Sequence, residues 1–323
     1  MTRFATIGSN FVTDSFLEAA QGVEGFQLEG VYSRTRARAE EFAAKWGAPR
    51  TYTSLDALCA DPAIEAVYVA SPNACHEAQT IALLKAGKHV LCEKPIAPDS
   101  AALARMARAA REAGRVLMEA MMPAHTPAYR AIRAAMAQIA PVRRATLRFC
   151  KYSSRYDKFK AGIVENAFDP SLANGALMDI GVYCLHAAQL LLGEPQTVAG
   201  KSVFLPGGID GAGSLVLGYD GALAEIVYSK ITDSVSPSEI EGEGGSILID
   251  AVSRPRRAEL VLRGGARREI PLGVEADEMR YEIEDFLALL RGADGARYLA
   301  DSEAVTRTLD RARAGMGVEF RRR

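Results

Sequence analysis

Two short stretches carry residue types able to hold charge and move a proton. Glu93-Lys94-Pro95 follows an apolar, strand-like run at residues 88–92. Further along, Asn174-Gly175-Ala176-Leu177-Met178-Asp179-Ile180-Gly181-Val182-Tyr183 opens a strongly apolar helix that reaches Leu192. Asp179 and Tyr183 are four residues apart and share one helical face. A carboxylate on an otherwise apolar helix has to be paired or hydrogen-bonded, and Lys94 is a natural partner. Tyrosine is unreactive near neutral pH unless a nearby cation lowers its pKa, a service Lys94 would perform. A lone lysine after a strand is ordinarily a surface residue, so the weight rests on the set of three. Such a set suits acid–base chemistry at a hydroxyl or carbonyl oxygen. His186, one turn beyond Tyr183, reads as a helix-packing residue.

The elements that must position these groups are legible in the periodicity. Strand-like runs at residues 4–8, 26–33, 64–70, 88–92 and 115–119 alternate with helical patterns at 13–21, 36–46, 74–86 and 100–113. Gly47, Gly87 and Gly114 stand where helices end, and Asp99 stands where one begins. This alternation predicts a doubly wound parallel sheet, with ligands at the carboxyl ends of its strands. Beyond about residue 120 the pattern changes. A helix at 127–139 precedes strands at 142–152, 197–205, 214–219, 222–230, 246–249 and 258–262, separated by turns such as Pro206-Gly207-Gly208 and Tyr219-Asp220-Gly221. That is a mostly antiparallel sheet, and helices near 275–290 and 302–314 finish the chain. The expected architecture is an α/β Rossmann domain over residues 1–120 and an α+β domain over 121–323.

The turn after the first strand, Gly8-Ser9-Asn10-Phe11-Val12-Thr13, keeps only the first glycine of a dinucleotide-binding turn. Asn10 takes the second position as the next-best residue for a left-handed backbone, and Thr13 takes the third as a candidate helix cap. N–H groups of the following helix would face a diphosphate. After the second strand comes Tyr32-Ser33-Arg34-Thr35-Arg36, with no acid until Glu40. A carboxylate there would accept from the 2′-hydroxyl of NAD, whereas Ser33 and Arg34 suit the 2′-phosphate of NADP, so NADP is favoured and NAD is the alternative.

Composition bounds the rest. The 323 residues are 49% hydrophobic and 24% charged, with 39 Lys and Arg against 40 Asp and Glu. That balance argues against nucleic acid as a partner, and the Arg321-Arg322-Arg323 tail reads as a solvated terminus. The chain opens directly on a strand-like run, without a secretion signal, and has no apolar stretch long enough for a membrane span. Five scattered cysteines, never spaced as CxxC, argue for reduced thiols in the cytoplasm, with no disulfide frame and no metal site.

Lys88-His89-Val90-Leu91-Cys92-Glu93-Lys94-Pro95, Ser71-Pro72-Asn73 and the Asp179/Tyr183 helix together resemble the glucose–fructose oxidoreductase / inositol dehydrogenase (Gfo/Idh/MocA) family over nearly the whole chain. The resemblance implies that Lys94, Asp179 and Tyr183 form the catalytic set in the cleft between domains, with the Lys94–Pro95 bond cis. It implies that residues 8–12 (Gly8, Asn10, Phe11 and Val12 among them) hold the diphosphate and that Ser33 and Arg34 hold the adenosine ribose. Ser71, Pro72, Asn73 and His76 would line the nicotinamide, and Glu93 its ribose; His76 also reads as a helix-cap residue. Many members have histidine where this chain has Tyr183. Tyrosine there is similar to the dihydrodiol and xylose dehydrogenase branch, whose members commonly use NADP. The glycine-poor turn departs from the family pattern.

Tyr152-Ser153-Ser154-Arg155-Tyr156 leaves the first strand of the second domain. Tyr152, Arg155 and Tyr156 offer hydroxyls and a cation for a carbohydrate-like substrate, though the segment reads equally well as a surface loop. The expected activity is hydride transfer between nicotinamide and a secondary alcohol or carbonyl of a sugar, polyol or cyclic hydroxy compound. A non-catalytic nucleotide sensor and a redox-neutral lyase or glycosidase with retained nicotinamide are the rivals. Apolar runs at residues 214–219 and 226–228 exceed what one sheet face needs, which predicts a homodimer or homotetramer.

Overall fold

The computed structural model describes residues 1–320; the Arg321-Arg322-Arg323 tail lies outside the described residues. The chain divides into two compact units, one of residues Met1–His125 and Ala276–Glu303, the other of Thr126–Glu275 with the residues from Ala304 onward.

The first unit is built on six strands: β1 (Thr2–Ile7), β2 (Phe26–Tyr32), β3 (Arg50–Tyr52), β4 (Ala66–Val69), β5 (His89–Glu93) and β6 (Leu117–Ala120). All pair in parallel, in the order β3-β2-β1-β4-β5-β6. Every residue of β4 is buried, as a central parallel strand covered on both faces requires, and every residue of the edge strand β6 is buried as well. One face packs α1 (Phe11–Ala20) and α2 (Arg36–Trp46). The other packs α3 (Leu55–Ala60), α4 (Asn73–Lys85) and α5 (Ser100–Ala113). Phe16 of α1 lies flat on Tyr68 of β4, with centroids 3.8 Å apart. The expected punctuation is present: Asp99 accepts from the Ala102 N–H at 2.7 Å, and Gly47 and Gly114 end α2 and α5 with left-handed backbones. The edge strand β3 and the one-and-a-half-turn α3 lack a periodic signal and were not anticipated. The short α6 (Met122–His125) ends the first stretch.

The second unit begins with α7 (Pro127–Ala135), which gives way to a 3₁₀ turn before residue 139. Its sheet comprises β7 (Val142–Cys150), β8 (Thr197–Phe204), β9 (Asp210–Tyr219), β10 (Ala222–Ser229), β11 (Ser238–Gly242), β12 (Gly245–Ile249), β13 (Ala258–Leu262) and β14 (Arg267–Ile270). The order is β14-β13-β12-β11-β7-β10-β9-β8, antiparallel except where β7 and β10 run together. β11 and β14 are additions to the expected set. Between β7 and β8 lie α8 (Tyr156–Lys160), a π-helical turn (Leu177–Gly181) and α9 (Val182–Leu192). Ala145, Leu147, Leu217, Ala224, Ile226 and Tyr228 alternate inward from the sheet to form the core with α9.

Helix α10 (Met279–Leu290), which the sequence reading groups with the second domain, belongs to the first unit. Its Phe286 is fully buried and meets Phe4 of β1 at 5.8 Å. Helix α11 (Ala296–Met316) contributes its residues through Glu303 to the first unit and the remainder to the second.

Candidate active site

In the first unit the expected residues gather at the carboxyl ends of β1, β2, β4 and β5, beside the switch in strand order between β1 and β4. Gly8 has φ +110°, and a Cβ there would sit 2.5 Å from the Ala70 carbonyl oxygen at the end of β4. Only glycine fits so close a crossing of two chains. Asn10 corrects the sequence reading. Its backbone is extended (φ −112°) rather than left-handed, and it, not Thr13, is the cap of α1. Its Oδ1 accepts from the N–H groups of Val12 (3.0 Å) and Thr13 (3.2 Å), and its Nδ2 donates to the Ala70 carbonyl (3.1 Å). Those two N–H groups, expected to face a diphosphate, are thus engaged by the cap. Phe11 is exposed, and Val12 is half-buried beside it.

Positive charge reaches the turn from a residue not anticipated. Arg38, in the first turn of α2, donates from Nε to Ser9 Oγ at 3.1 Å and from Nη2 to the Ser9 carbonyl at 2.6 Å. Arg34 is exposed, Ser33 is half-buried with its N–H bonded to the Tyr52 carbonyl, and Arg36 lies 3.7 Å from Glu40. A tight glycine crossing and a guanidinium on the turn fit a phosphate-bearing dinucleotide, with Ser33, Arg34 and Arg38 as the groups able to take a 2′-phosphate.

At the end of β5, the Lys94–Pro95 peptide is cis, as the family resemblance implied; Ala140–Pro141 is cis as well. Lys94 is half-buried. Glu93 is buried, accepts from the Tyr68 hydroxyl at 2.6 Å and from the Lys94 N–H at 3.2 Å. Burial raises its pKa, while the Lys94 charge and the Tyr68 hydrogen bond pull it back. His76 is fully buried in α4. Nδ1 lies 3.0 Å from the Pro95 carbonyl and Nε2 lies 2.9 Å from the Ser71 carbonyl. Burial lowers its pKa against the pull of those carbonyls. With both ring nitrogens turned to backbone, His76 is neither a helix cap nor a ring presented to a ligand. It ties the Ser71-Pro72-Asn73 turn to the Lys94-Pro95 turn. Ser71 Oγ donates to Gln79 Oε1 at 2.6 Å, and Asn73 is buried at the start of α4.

In the second unit, Asp179 lies in the π-helical turn and Tyr183 in the first turn of α9. Single π turns inside helices recur at functional sites. Here the extra residue per turn keeps Asp179 and Tyr183 near one face. Tyr183 is half-buried with its ring edge-on to Phe149 of β7 at 5.5 Å. Asp179 has a partner that the sequence did not single out: Lys230, just past β10, places Nζ 2.8 Å from Asp179 Oδ2. The Lys230 side chain is 1% exposed. Its Nζ also donates to the Ala167 carbonyl at 2.7 Å and stands 4.7 Å from the centroid of the Phe168 ring. An isolated lysine closing the apolar run of β10 was the only signal for it.

The start of the turn is fixed by Asp210, whose Oδ2 accepts from the Leu177 N–H at 2.7 Å. A Cβ on Gly175 would collide with Asp210 Oδ1, so glycine is required there. His186 is buried in α9, as the sequence indicated. Tyr152 and Tyr156 pack ring against ring, and the polar ends of Tyr152 and Arg155 are engaged internally. Tyr152 Oη donates to Asp157 at 2.7 Å and accepts from Lys160 at 2.8 Å, and Arg155 Nε lies 3.5 Å from Glu165. Tyr156 stacks with Phe159 and Phe168.

Comparison with known proteins agrees with this geometry. Residues 2–121 match the Gfo/Idh/MocA family described as "Oxidoreductase family, NAD-binding Rossmann fold", and residues 131–248 match the Gfo/Idh/MocA C-terminal domain. The chain is 46% identical over 291 residues to scyllo-inositol 2-dehydrogenase (NADP(+)) IolU of Bacillus subtilis (strain 168), covering 90% of this chain and 89% of that one. It is 30% identical over 340 residues to trans-1,2-dihydrobenzene-1,2-diol dehydrogenase of Mus musculus, covering 98% of each. Among solved structures, KijD10, a 3-ketoreductase from Actinomadura kijaniata, shares the fold with a TM-score of 0.86 at 24% identity, covering 98% of both chains.

Proposed function

The chain belongs to the Gfo/Idh/MocA family and is an NAD(P)-dependent oxidoreductase of sugar- or polyol-type substrates; from that premise we propose that it oxidises and re-forms a secondary carbinol of an inositol-like ring with NADP as the favoured nucleotide. When bound, the nicotinamide supplies the hydride acceptor or donor. Lys94, Asp179 and Tyr183 act on one substrate. Tyr183 exchanges the hydroxyl proton, Lys94 stabilises charge on the substrate oxygen, and Asp179 orients and balances the pair. One observation carries the reading: a half-buried lysine follows β5 of a nucleotide-type sheet, in a chain that also presents a carboxylate and a tyrosine four residues apart.

NADP preference is supported by Ser33 and Arg34 in place of an acid after β2, by Arg38 on the Ser9 turn, and by the NADP(+) dependence in the name of the Bacillus subtilis relative. A homodimer or homotetramer is supported by the exposed apolar residues Val203, Val216 and Leu223 on β8, β9 and β10, each 40% or more exposed. Residence in the cytoplasm is supported by five free thiols. No helix among the described residues is long and apolar enough to cross a membrane.

The deciding experiment is an absorbance screen near the reduced-nicotinamide band, with inositols, pyranoses and cyclic diols against NADP and NAD. Reduction of NADP by an inositol isomer is the expected result. Tight nucleotide binding with no turnover would favour a sensor. Product formation with no net absorbance change, and nucleotide retained through gel filtration, would favour a redox-neutral lyase or glycosidase.

A further inference from the structure

We propose that Lys230 is the positioning residue that orients the Asp179 carboxylate and balances its charge from within the same unit. The inference rests on the catalytic reading above. Its basis is the depth and rigidity of the lysine. An ammonium taken almost wholly out of water is tolerated only when paired and hydrogen-bonded. Lys230 meets that condition with Asp179 Oδ2 at 2.8 Å, the Ala167 carbonyl at 2.7 Å and the Phe168 ring face at 4.7 Å.

Its backbone is held on both sides. The Lys230 N–H donates to the Gly211 carbonyl at 2.9 Å, and its carbonyl accepts from the Ser153 N–H at 2.8 Å. The ammonium therefore has little freedom to follow a moving partner, and Asp179 is set to it. The Asp179 side chain remains one-third accessible (33%), whereas Lys230 is 1% accessible. Lys230 therefore acts through Asp179 and has no surface to offer a substrate directly. Asp210, fixed to the Leu177 N–H, holds the other end of the same π turn, and the Lys230 charge favours its ionised form too. One buried cation thereby serves the acid that anchors the turn and the acid that the turn presents.

The test is a double-mutant cycle of Lys230→Met and Asp179→Asn, with Lys230→Arg as the conservative variant, read in steady-state kinetics, nucleotide affinity and urea unfolding. Lys230→Met should lower kcat about 10²-fold, on the scale of a lost acid–base group, with nucleotide Kd unchanged. Lys230→Arg should recover kcat to within about tenfold of the parent. The double variant should turn over no more slowly than Asp179→Asn alone, because the lysine acts through the carboxylate. In urea, each single variant should be less stable than the parent, and the double variant should lose less than the two single losses added, since removing both partners leaves no unpaired charge.

Parent-like kcat in Lys230→Met, or a further large loss in the double variant beyond Asp179→Asn, would overturn the assignment. If Lys230→Met does not fold, the comparison of the double variant with Asp179→Asn decides in its place. Should the parent turn over no polyol at all, the catalytic reading fails, while the urea cycle still reports whether Lys230 and Asp179 are coupled; additive urea shifts would remove the pairing itself.

Discussion

Replacing Asp210 with asparagine should remove a specific pH dependence from stability. Asp210 opens β9, is 1% exposed and accepts from the Leu177 N–H. Burial raises its pKa from 3.8 to about 6, and the Leu177 N–H and the Lys230 charge pull in the opposite direction without prevailing. A carboxyl whose pKa is higher folded than unfolded favours the protonated native state. Its contribution is present in full below 3.8 and is lost as pH rises through about 6. The gap between those two values corresponds to about 3 kcal/mol. The asparagine side chain cannot ionise, yet its oxygen can still accept from Leu177, so the π turn should remain capped and kcat should hold. The assay is urea unfolding of parent and Asp210→Asn at intervals from pH 4 to pH 7. Taking the difference between the two proteins cancels every other carboxylate. The stability of the variant relative to the parent should climb by about 2–3 kcal/mol across that window. A difference that is flat with pH would refute the argument that burial dominates at Asp210.

Three further outcomes are expected. Arg34→Asp and Arg38→Ala should each weaken NADP(H) at least about tenfold more than NAD(H), the scale of one charge-assisted hydrogen bond lost; fluorescence titration with both nucleotides checks this, and parallel losses would mean that neither guanidinium reads the 2′-phosphate. Tyr183→Phe removes only the hydroxyl and should lower kcat about 10²-fold with nucleotide affinity intact, and the basic limb of the pH–rate profile should vanish with it; an active variant with the parent's profile would exclude Tyr183 as the proton-exchanging group. Val216→Glu places a charge among the exposed apolar residues of β8, β9 and β10 and should reduce the mass found by light scattering toward that of one chain; an unchanged mass would put the subunit contact elsewhere.

How far the sequence discloses this arrangement depends on the range of the interaction concerned. The alternation of β1 through β6 with their helices follows from local periodicity, and so do the Asp99 cap and the glycines closing α2 and α5. Edge strands β3 and β14 are only three and four residues long and carry no clear alternation, so nothing local distinguishes them from loop. Helix α10 has an apolar face but no local mark of which sheet receives it. Its assignment to the first unit is decided by Phe286 against Phe4, a contact across more than 280 residues. Lys94 was recognisable because proline fixes the chain beside it, and Asp179 with Tyr183 because four-residue spacing keeps two side chains on one side in both α- and π-helical winding. Lys230 was not, because a charge at the end of an apolar strand usually faces water, and only the three-dimensional pairing shows that this one does not.

The nucleotide turn is a case where a pattern loses its glycines without losing its geometry. A second glycine would be needed if the backbone at position 10 were left-handed or had to pass against another chain. It does neither, since Asn10 is extended and the close crossing falls on Gly8, where a Cβ would meet the Ala70 carbonyl. Asn10 then does with a side chain what backbone freedom does elsewhere. Its oxygen caps α1 and its amide nitrogen binds the same Ala70 carbonyl that forbids a side chain at Gly8. One carbonyl at the end of β4 thus dictates the glycine at position 8 and anchors the asparagine at position 10. Asn10→Gly would restore the look of the glycine-rich pattern while removing the cap and the bridge to β4. Capping alone counts for little in that exchange, since glycine replaces an asparagine cap at a loss of only a few tenths of a kcal/mol. A loss well above that would therefore report the bridge to Ala70, and the variant's melting temperature against the parent's would measure it.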